Sequence, residues 1–343
     1  MSKQLTFQDI NQRRQILGEI LPLKMPLGIT MHITNLCNFR CFYCSASQSA
    51  DKRKKDGVLL QHMLYDDFKE CIDSIARSGH VKVLNLCGWG KPLLHPDIAN
   101  MVKYAKKSNV ADCVNIISNG SLLTKEISNA LIDAGVNNIR ISLQGLDSKA
   151  YWETSGVKID FNQIVENIKY FYAHRKNSTI SVRIMDHMIT KRENEFEQLF
   201  SAICNEYTIG SLIEILDDVD VTNKGADLDK TFSGGPLLKT DLCAMPFFRG
   251  YVDVDCRLMS CCMLPQPCKF GDIRKSFFDV WNGREHISFC LKMLVNRKEY
   301  AVCASCKMFA TQIEKADKLD DYRDELIAKY NELLIAIERH NEV

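Results

Sequence analysis

Three closely spaced cysteines are the residues of this chain whose types and spacing most directly indicate chemistry. Cys37, Cys41 and Cys44 form a C-x3-C-x2-C motif, so three thiolates can reach one metal centre from a single loop. Thiolates are the usual protein ligands of iron–sulfur clusters. Three ligands leave one iron of a four-iron cluster open to a small molecule, whereas a structural zinc site uses four closed ligands. The motif therefore favours a cluster with one open iron.

A second group of cysteines lies nearer the C-terminal end. Cys303 and Cys306 form a C-x2-C pair, and Cys243 and Cys261 precede it. The pair alone fits zinc as well as iron. A total of 15 cysteines in a long chain without an export signal favours metal binding or catalysis over disulfides. Five further cysteines stand alone in apolar patterns and are interpreted as packing residues: Cys71, Cys87, Cys113, Cys204 and Cys290.

Alternating β-rich and amphipathic stretches predict the elements that position these residues. The predicted strands are residues 28–34, 81–86, 114–118, 138–143, 179–185 and 211–216. The predicted helices are residues 65–77, 98–105, 123–134, 161–173 and 193–204, with Gly135 as a C-cap. Six β-then-α steps favour parallel strands with right-handed crossovers, and hence an α/β fold with a partial (β/α)6 barrel. The active site of such a barrel lies at the C-terminal ends of its strands.

The pattern divides the chain into five segments. They are an N-terminal extension (1–26), the barrel (27–216), a polar linker (217–242), a Cys-rich module held by metal (243–310) and a C-terminal helix (311–343). Apolar residues at spacings of three or four from Leu319 to Ile337 predict that this helix runs from about 312 to 340. Packing on the body of the protein is favoured over a coiled-coil seam.

Composition and charge exclude several classes of protein. The net charge is +1, so no basic excess indicates nucleic acid or an anionic membrane as a partner. No stretch approaches the roughly 18 uninterrupted apolar residues of a membrane span. The first residues carry scattered charges and lack the apolar region of a signal peptide. We therefore expect a cytoplasmic protein that binds neither nucleic acid nor membrane.

The first cysteine motif resembles that of the radical S-adenosylmethionine (SAM) superfamily. It follows the first strand, and an aromatic residue, Tyr43, precedes the last cysteine. The resemblance implies a [4Fe-4S] cluster whose open iron binds SAM. An external electron donor such as flavodoxin or ferredoxin then drives cleavage of SAM to a 5′-deoxyadenosyl radical, which abstracts hydrogen from substrate. The protein holds the reacting carbon against the radical and excludes water.

Segments after strands two to five resemble the SAM-binding segments of that superfamily. Gly88-Trp-Gly90-Lys-Pro92 is similar to its Gly-Gly-Glu-Pro run, and Lys91 stands where Glu is frequent. Arg183 either reaches the SAM carboxylate or is a solvated strand residue. The cofactor-binding residues that the resemblance implies are Tyr43, Gly88, Gly90, Pro92, Ser118, Asn119, Ser142, Gln144 and Arg183.

The region from Cys243 to Cys306 resembles the SPASM/twitch extension of the superfamily. In the shorter twitch form, four cysteines hold one auxiliary [4Fe-4S] cluster. Cys256 stands where the family usually has Gly and is interpreted as a bystander. Cys268 is unassigned and becomes a ligand only in the longer form. The auxiliary ligands that the resemblance implies are Cys243, Cys261, Cys303 and Cys306.

Several reactions fit this resemblance. We favour a two-electron oxidation by a radical SAM dehydrogenase, with the auxiliary cluster as electron acceptor. The alternatives are an epimerase, with Cys262 as hydrogen donor rather than a packing residue, and a peptide-modifying maturase. A noncatalytic metal-binding protein ranks last, because it needs no open three-cysteine site. Only about 25 residues precede the first strand, too few for a peptide-recognition domain, which favours a small sugar-like or aminocyclitol-like substrate.

Overall fold

The described residues form a sheet of ten strands. The structure, a computed structural model, describes residues 3–4, 14–214, 221, 223, 225, 227 and 229–341. The strands are β1 (Lys3–Gln4), β2 (Gly28–Met31), β3 (Val81–Leu86), β4 (Ala111–Ser118), β5 (Asn138–Ser142), β6 (Thr179–Met185), β7 (Glu206–Gly210), β8 (Arg249–Val252), β9 (Arg257–Met259) and β10 (Lys269–Asp272). Their order is β1-β7-β6-β5-β4-β3-β2-β8-β9-β10.

Strands β2 to β7 form the barrel, and each pairs in parallel with the next. On β5, Ile139 and Ile141 are fully buried, while the alternate residues Arg140 and Ser142 point to the opposite face, because side chains alternate along a strand. The predicted α/β class and partial (β/α)6 barrel are confirmed.

Helices connect the barrel strands through caps that the sequence supplies. Thr124 accepts a hydrogen bond from the amide of Ile127 at one helix start, and Gly135, at φ 83°, ends that helix as predicted. The connecting helices are Ala50–Lys55, Tyr65–Ser78, Ile98–Lys107, Lys125–Ala134, Ser148–Ser155, Phe161–His174 and Glu193–Phe200. The remaining helices are Leu17–Ile20, Met245–Phe248, Phe277–Trp281, Arg284–Asn296, Ala301–Ser305, Met308–Thr311 and Arg323–Asn341.

The sixth barrel strand lies earlier than predicted. Strand β7 is Glu206–Gly210, residues 211–214 are irregular, and residues 215–216 lie outside the described part of the chain. Leu212 and Ile213 are buried although they are not in a strand, so their hydrophobicity reflects burial rather than sheet pairing. The predicted linker also falls partly on residues that the structure does not describe.

The C-terminal helix is shorter than predicted. It begins at Arg323, and two 3-10 turns, Lys315–Asp317 and Asp320–Tyr322, occupy the region assigned to its first turns. A capping box between Glu314 and Asp317 starts the first of these turns and diverts the chain from a continuous helix. The helix packs on Arg284–Asn296 and buries Leu326, which agrees with packing on the body of the protein.

The Cys-rich module extends the barrel sheet at the edge of its first strand. Strand β8 pairs in parallel with β2, with Gly28 opposite Arg249 and Met31 opposite Val252. Strands β9 and β10 then add antiparallel partners. Within the described ranges, no helix combines the length and apolarity needed to cross a membrane.

Candidate functional site

The loop that carries the first three cysteines starts where β2 ends. We call residues 32–44 the cysteine loop. The side-chain amide of Asn35 donates to the carbonyl of Leu59 (3.0 Å) and to Oδ1 of Asp253 (2.8 Å), and Arg53 donates to the carbonyl of Asn35 (2.8 Å). Asp253 is fully buried, and Lys269 contacts its other oxygen at 2.6 Å. The base of the loop is therefore fixed by a buried charge that belongs to the Cys-rich module.

Local hydrogen bonds order the part of the loop that carries the three cysteines. The amide of Phe39 donates to Sγ of Cys37 (3.4 Å), and the amide of Cys44 donates to the carbonyl of Cys41 (2.9 Å). Burial, followed by the negative charge of Cys44, raises the pKa of Cys41 to about 12. The thiolates thus influence one another, and a bound cationic cluster would relieve this repulsion. Three sulfur donors on one short loop fit a [4Fe-4S] cluster.

The ends of β4 and β5 hold the cysteine loop from the side. Gln144 accepts hydrogen bonds from the hydroxyl of Tyr43 (2.6 Å) and from Sγ of Cys41 (3.3 Å), and it donates to the carbonyl of Ser142 (3.0 Å). Asn119 donates to Oδ1 of Asn38 at 2.9 Å. Ser118 is fully buried and accepts from the amide of Gly120. The structure thus gathers these predicted SAM-site residues around the first two cysteines.

The glycine-containing segment after β3 packs against the same loop. Gly88 has φ 150°, and a Cβ there would lie 2.4 Å from the ring of His32. A Cβ on Gly90 would lie 2.4 Å from backbone oxygens of the cysteine loop. The amide of Lys91 donates to the carbonyl of Leu36 at 2.8 Å, and Pro92 is buried at the start of a short 3-10 turn. Larger residues at either glycine would displace the loop.

A cavity of about 430 Å³ lies inside the barrel below the cysteine loop. We call it the barrel cavity. Strands β2 to β6 and the Cys-rich module all contribute to its wall. The indole of Trp89 donates to the carbonyl of Cys262 (2.8 Å) and so joins the two parts of that wall. The lining of the barrel cavity includes His32, Arg140, Arg183, Arg249, Tyr251 and Cys262.

Arg183 is buried rather than solvated. Its side chain lines the barrel cavity, its guanidinium lies 3.4 Å from the ring centre of Phe232, and it donates to the carbonyl of Phe232. Burial, followed by the charge of Arg140, lowers the pKa of Arg183 to about 9. The solvated alternative is therefore wrong, and contact with the SAM carboxylate stays a prediction.

The second set of cysteines comes together from three separate segments. Cys243, Cys261, Cys303 and Cys306 line one narrow cavity, which we call the thiol cavity, together with apolar residues such as Met263, Val302 and Phe309. Burial is the main cause that raises the pKa of Cys243 to about 12 and that of Cys303 to about 11. Four sulfur donors around one water-excluding space fit an auxiliary cluster.

Across the part of the chain that the structure describes, no three Cys, His, Asp or Glu side chains form a group suited to a single metal ion.

The remaining cysteines have different surroundings. Cys262 lines both cavities, and its thiol contacts the hydroxyl of Tyr251. Cys256 has φ 65°, a conformation that favours glycine, and its thiol lies against Cys71. Cys268 lies outside the lining of the thiol cavity and contacts Tyr300. Cys71, Cys204 and Cys290 are buried packing residues, whereas Cys87 lines the barrel cavity.

Sequence reasoning missed several residues that line the barrel cavity. Arg140 alternates with two buried isoleucines on β5, and a charged residue in a covered parallel strand indicates a functional lumen. Arg249 and Tyr251 lie on β8, a strand that the pattern did not predict. Burial lowers the pKa of His32 to about 4, so its ring is neutral at pH 7.

The family model of the Radical SAM superfamily matches residues 31–203. That range spans half of the chain and includes the cysteine loop and strands β3 to β6. The chain belongs to the radical SAM superfamily. The superfamily uses a [4Fe-4S] cluster and SAM, the cofactors expected from the sequence.

Curated relatives resemble this radical SAM protein over part of their length. The PqqA peptide cyclase of Bradyrhizobium diazoefficiens is 32% identical over 123 residues, which are 36% of this chain and 30% of that protein. The GTP 3′,8-cyclase of Limosilactobacillus fermentum is 33% identical over 141 residues, 41% of this chain and 40% of that protein. The match thus spans less than half the length of either relative.

Solved structures of radical SAM proteins share the fold. BtrN, in a complex with AdoMet and 2-DOIA, has a TM-score of 0.56 at 16% identity, covering 85% of this chain and 97% of that one. Streptococcus suis SuiB bound to S-adenosylmethionine has a TM-score of 0.59 at 15% identity, covering 88% and 78%. At these identities the likeness concerns architecture alone.

Proposed function

We propose that this radical SAM enzyme oxidises a small polar substrate by two electrons, with the substrate in the barrel cavity. One observation carries the proposal: Cys262 lines both the barrel cavity and the thiol cavity. The space for a substrate therefore adjoins the space for an auxiliary cluster. A four-thiol cluster has no open iron, which suits it to accept an electron rather than to bind substrate.

The residues of the chain would divide this task. Cys37, Cys41 and Cys44 would hold the SAM-binding cluster and the other four predicted ligands the auxiliary one; these groups supply a hydrogen-abstracting 5′-deoxyadenosyl radical and an electron acceptor. Gln144 would orient the cysteine loop through Cys41 and Tyr43.

Cavity residues would exclude water and accept the proton. Trp89, Phe232 and Phe248 would keep water from the reacting carbon. A dehydrogenation also releases a proton. The neutral ring of His32 lines the cavity, and both of its nitrogens are buried without a hydrogen-bond partner among the described residues. Because burial lowers its pKa to about 4, His32 would pass that proton on to solvent rather than keep it.

An epimerase is the second candidate, and it is favoured by the same Cys262. A thiol on the wall of the barrel cavity, beside the hydroxyl of Tyr251, is placed to return a hydrogen atom to a substrate radical.

The class of substrate is a separate question from the reaction. A sugar or aminocyclitol is our first choice, and a peptide side chain is the alternative, since one relative is a peptide cyclase.

The test uses product mass together with Cys262→Ser. Reconstituted enzyme is incubated anaerobically with SAM, dithionite and a panel of polyols, aminocyclitols and sugar phosphates. A dehydrogenase gives a product lighter by two hydrogens, and Cys262→Ser retains turnover. Cys268→Ser is the matched control, because Cys268 lies outside both cavities. A product of unchanged mass that gains one deuterium in deuterated water, lost in Cys262→Ser, would replace the dehydrogenase with the epimerase.

A further inference from the structure

The wall of the barrel cavity carries an excess of positive charge. Arg140, Arg183, Arg249 and Lys91 all line it, and Glu314 is the acidic residue in the same lining. Arg14 also reaches the cavity, but its guanidinium is paired with Asp317. A chain of net charge +1 has thus placed several cations around one cavity, where Glu314 is the acidic residue among the described lining.

Among the described residues, no side chain forms an ion pair with these four lining cations. Nε of Arg140 and Nε of Arg183 are buried and lack a hydrogen-bond partner in the described part of the protein. Arg140, Arg249 and Lys91 take no part in the ion pairs formed among described residues. Taking charge out of water without a partner is costly, so an anion would lower the energy of the site.

The cations lie at two levels of the barrel. Arg183 is opposite Ser142 at the C-terminal end of β5, the level of Gln144 and the cysteine loop. Arg140 is two residues earlier on the same strand, and Arg249 pairs with Gly28 at the start of β2. The length of β2, about 10 Å at the usual rise per residue, separates that start from the cysteine loop. A SAM carboxylate bound at the level of Arg183 would therefore lie about one strand length from the start of β2, where Arg249 is located.

Arg140 and Arg249 act on each other from different walls of the cavity. Burial is the main cause that lowers the pKa of Arg140, and the charge of Arg249 lowers it further. Two guanidinium groups that approach one space from β5 and β8 form a fork for the oxygens of one anion.

We propose that Arg140 and Arg249 bind an anionic group of the substrate, a phosphate or a carboxylate, at the lower end of the barrel cavity. The inference rests on the proposed function and names the substrate class. Anchoring one end of the substrate there would point its other end at the cysteine loop, where hydrogen is abstracted. Such fixed orientation is what a radical reaction requires of the protein.

The test measures anion binding to the reconstituted, SAM-loaded enzyme by anaerobic calorimetry. Inorganic pyrophosphate represents the phosphate class and succinate the carboxylate class, and the tighter probe identifies the source of the negative charge. We expect Arg140→Gln and Arg249→Gln each to weaken that probe at least tenfold, while SAM affinity changes less than twofold. Arg284→Gln removes an exposed arginine that pairs with Glu338 and serves as the matched control. Arg140→Lys, which keeps the charge, should restore part of the binding.

Two results would overturn the inference. One is pyrophosphate and succinate binding that is absent, or equal in wild type and both glutamine variants whose thermal unfolding is unchanged. The other is anion binding that SAM abolishes, because the arginines would then serve the SAM carboxylate. Neither result affects the proposed oxidation, which product mass decides separately. Conversely, an epimerase result leaves the anion site standing.

Discussion

The two cysteine sets are built in opposite ways. Cys37, Cys41 and Cys44 lie on one loop, so their proximity is local and follows from spacing. The second set comes from segments up to 63 residues apart, Cys243 to Cys306, and only the folded module places them around one cavity. A local motif can therefore be identified from sequence, whereas a dispersed site depends on tertiary packing.

The two cysteine sets also differ in the polarity of their surroundings. The first set contacts polar groups such as Gln144, and it lies on a loop whose first residue, His32, lines the polar barrel cavity. The second is surrounded mainly by methionine, valine and phenylalanine, which exclude water and ligands. The difference suits one site to bind a reactant and the other to transfer electrons.

Removing the first set should have the largest effect. Changing Cys37, Cys41 and Cys44 together to Ala should reduce iron from about eight to about four atoms per chain, and abolish SAM cleavage, because the open iron is lost. Iron analysis and chromatography of 5′-deoxyadenosine measure this. Cys113→Ala, at a half-buried cysteine outside both cavities, should change neither. SAM cleavage that survives in the triple variant would contradict the assignment.

Removing two of the four cysteines of the second set should abolish the auxiliary cluster and leave the SAM-binding cluster in place. The double change Cys303→Ala and Cys306→Ala should also leave about four irons, yet retain SAM cleavage without substrate, because the cysteine loop is untouched. Substrate oxidation should be lost, since the electron acceptor is missing. If metal analysis found stoichiometric zinc in the wild-type thiol cavity, the prediction of an auxiliary cluster would be wrong.

The buried charge that joins the two regions should have an intermediate effect. Lys269→Met leaves Asp253 buried without its cation and should lower the free energy of unfolding by about 3–5 kcal/mol. Since Asp253 also holds Asn35, SAM affinity should weaken as well. Denaturant unfolding and SAM titration report the two effects. Lys176→Met, at an exposed ion pair with Asp133, is the control and should cost less than about 1 kcal/mol. Equal losses of unfolding free energy in the two variants would show that the Lys269–Asp253 pair does not stabilise the cysteine loop.

The smallest effect concerns pH. Burial lowers the pKa of His32 to about 4, so the unfolded chain binds a proton that the native protein does not between about pH 6.5 and 4. Stability should therefore fall as pH falls through this window, by roughly 2–3 kcal/mol in total. His32→Gln should flatten that slope, measured as the difference between the two proteins. Asp253 and Lys269 face His32, and His286, also buried with a lowered pKa, is common to both proteins and cancels. An equal pH dependence of stability in the two proteins would show that the pKa of His32 is not lowered in the folded protein.

The outcome of prediction from sequence follows the same division between local and dispersed features. Strands β3 and β6 and the cap at Gly135 were predicted correctly, because periodicity and glycine act over a few residues. Strand β7 was misplaced because Leu212 and Ile213 are buried without strand pairing, which gives their segment the composition of a strand. Strand β8 and Arg249 could not be predicted, since only pairing with the distant β2 defines them.

The pairing of β2 with β8 also has a consequence for biosynthesis. Arg249 is made 221 residues after Gly28, yet the two end side by side. During translation the β2 edge stays unpaired on this side until β8 has left the ribosome, and closing such a distant contact is slow. Asp253, which secures the cysteine loop through Asn35, arrives at the same late stage. A nascent chain that has not yet reached Asp253 therefore carries three thiols on an unsecured loop, and we expect stable insertion of iron to follow synthesis of β8.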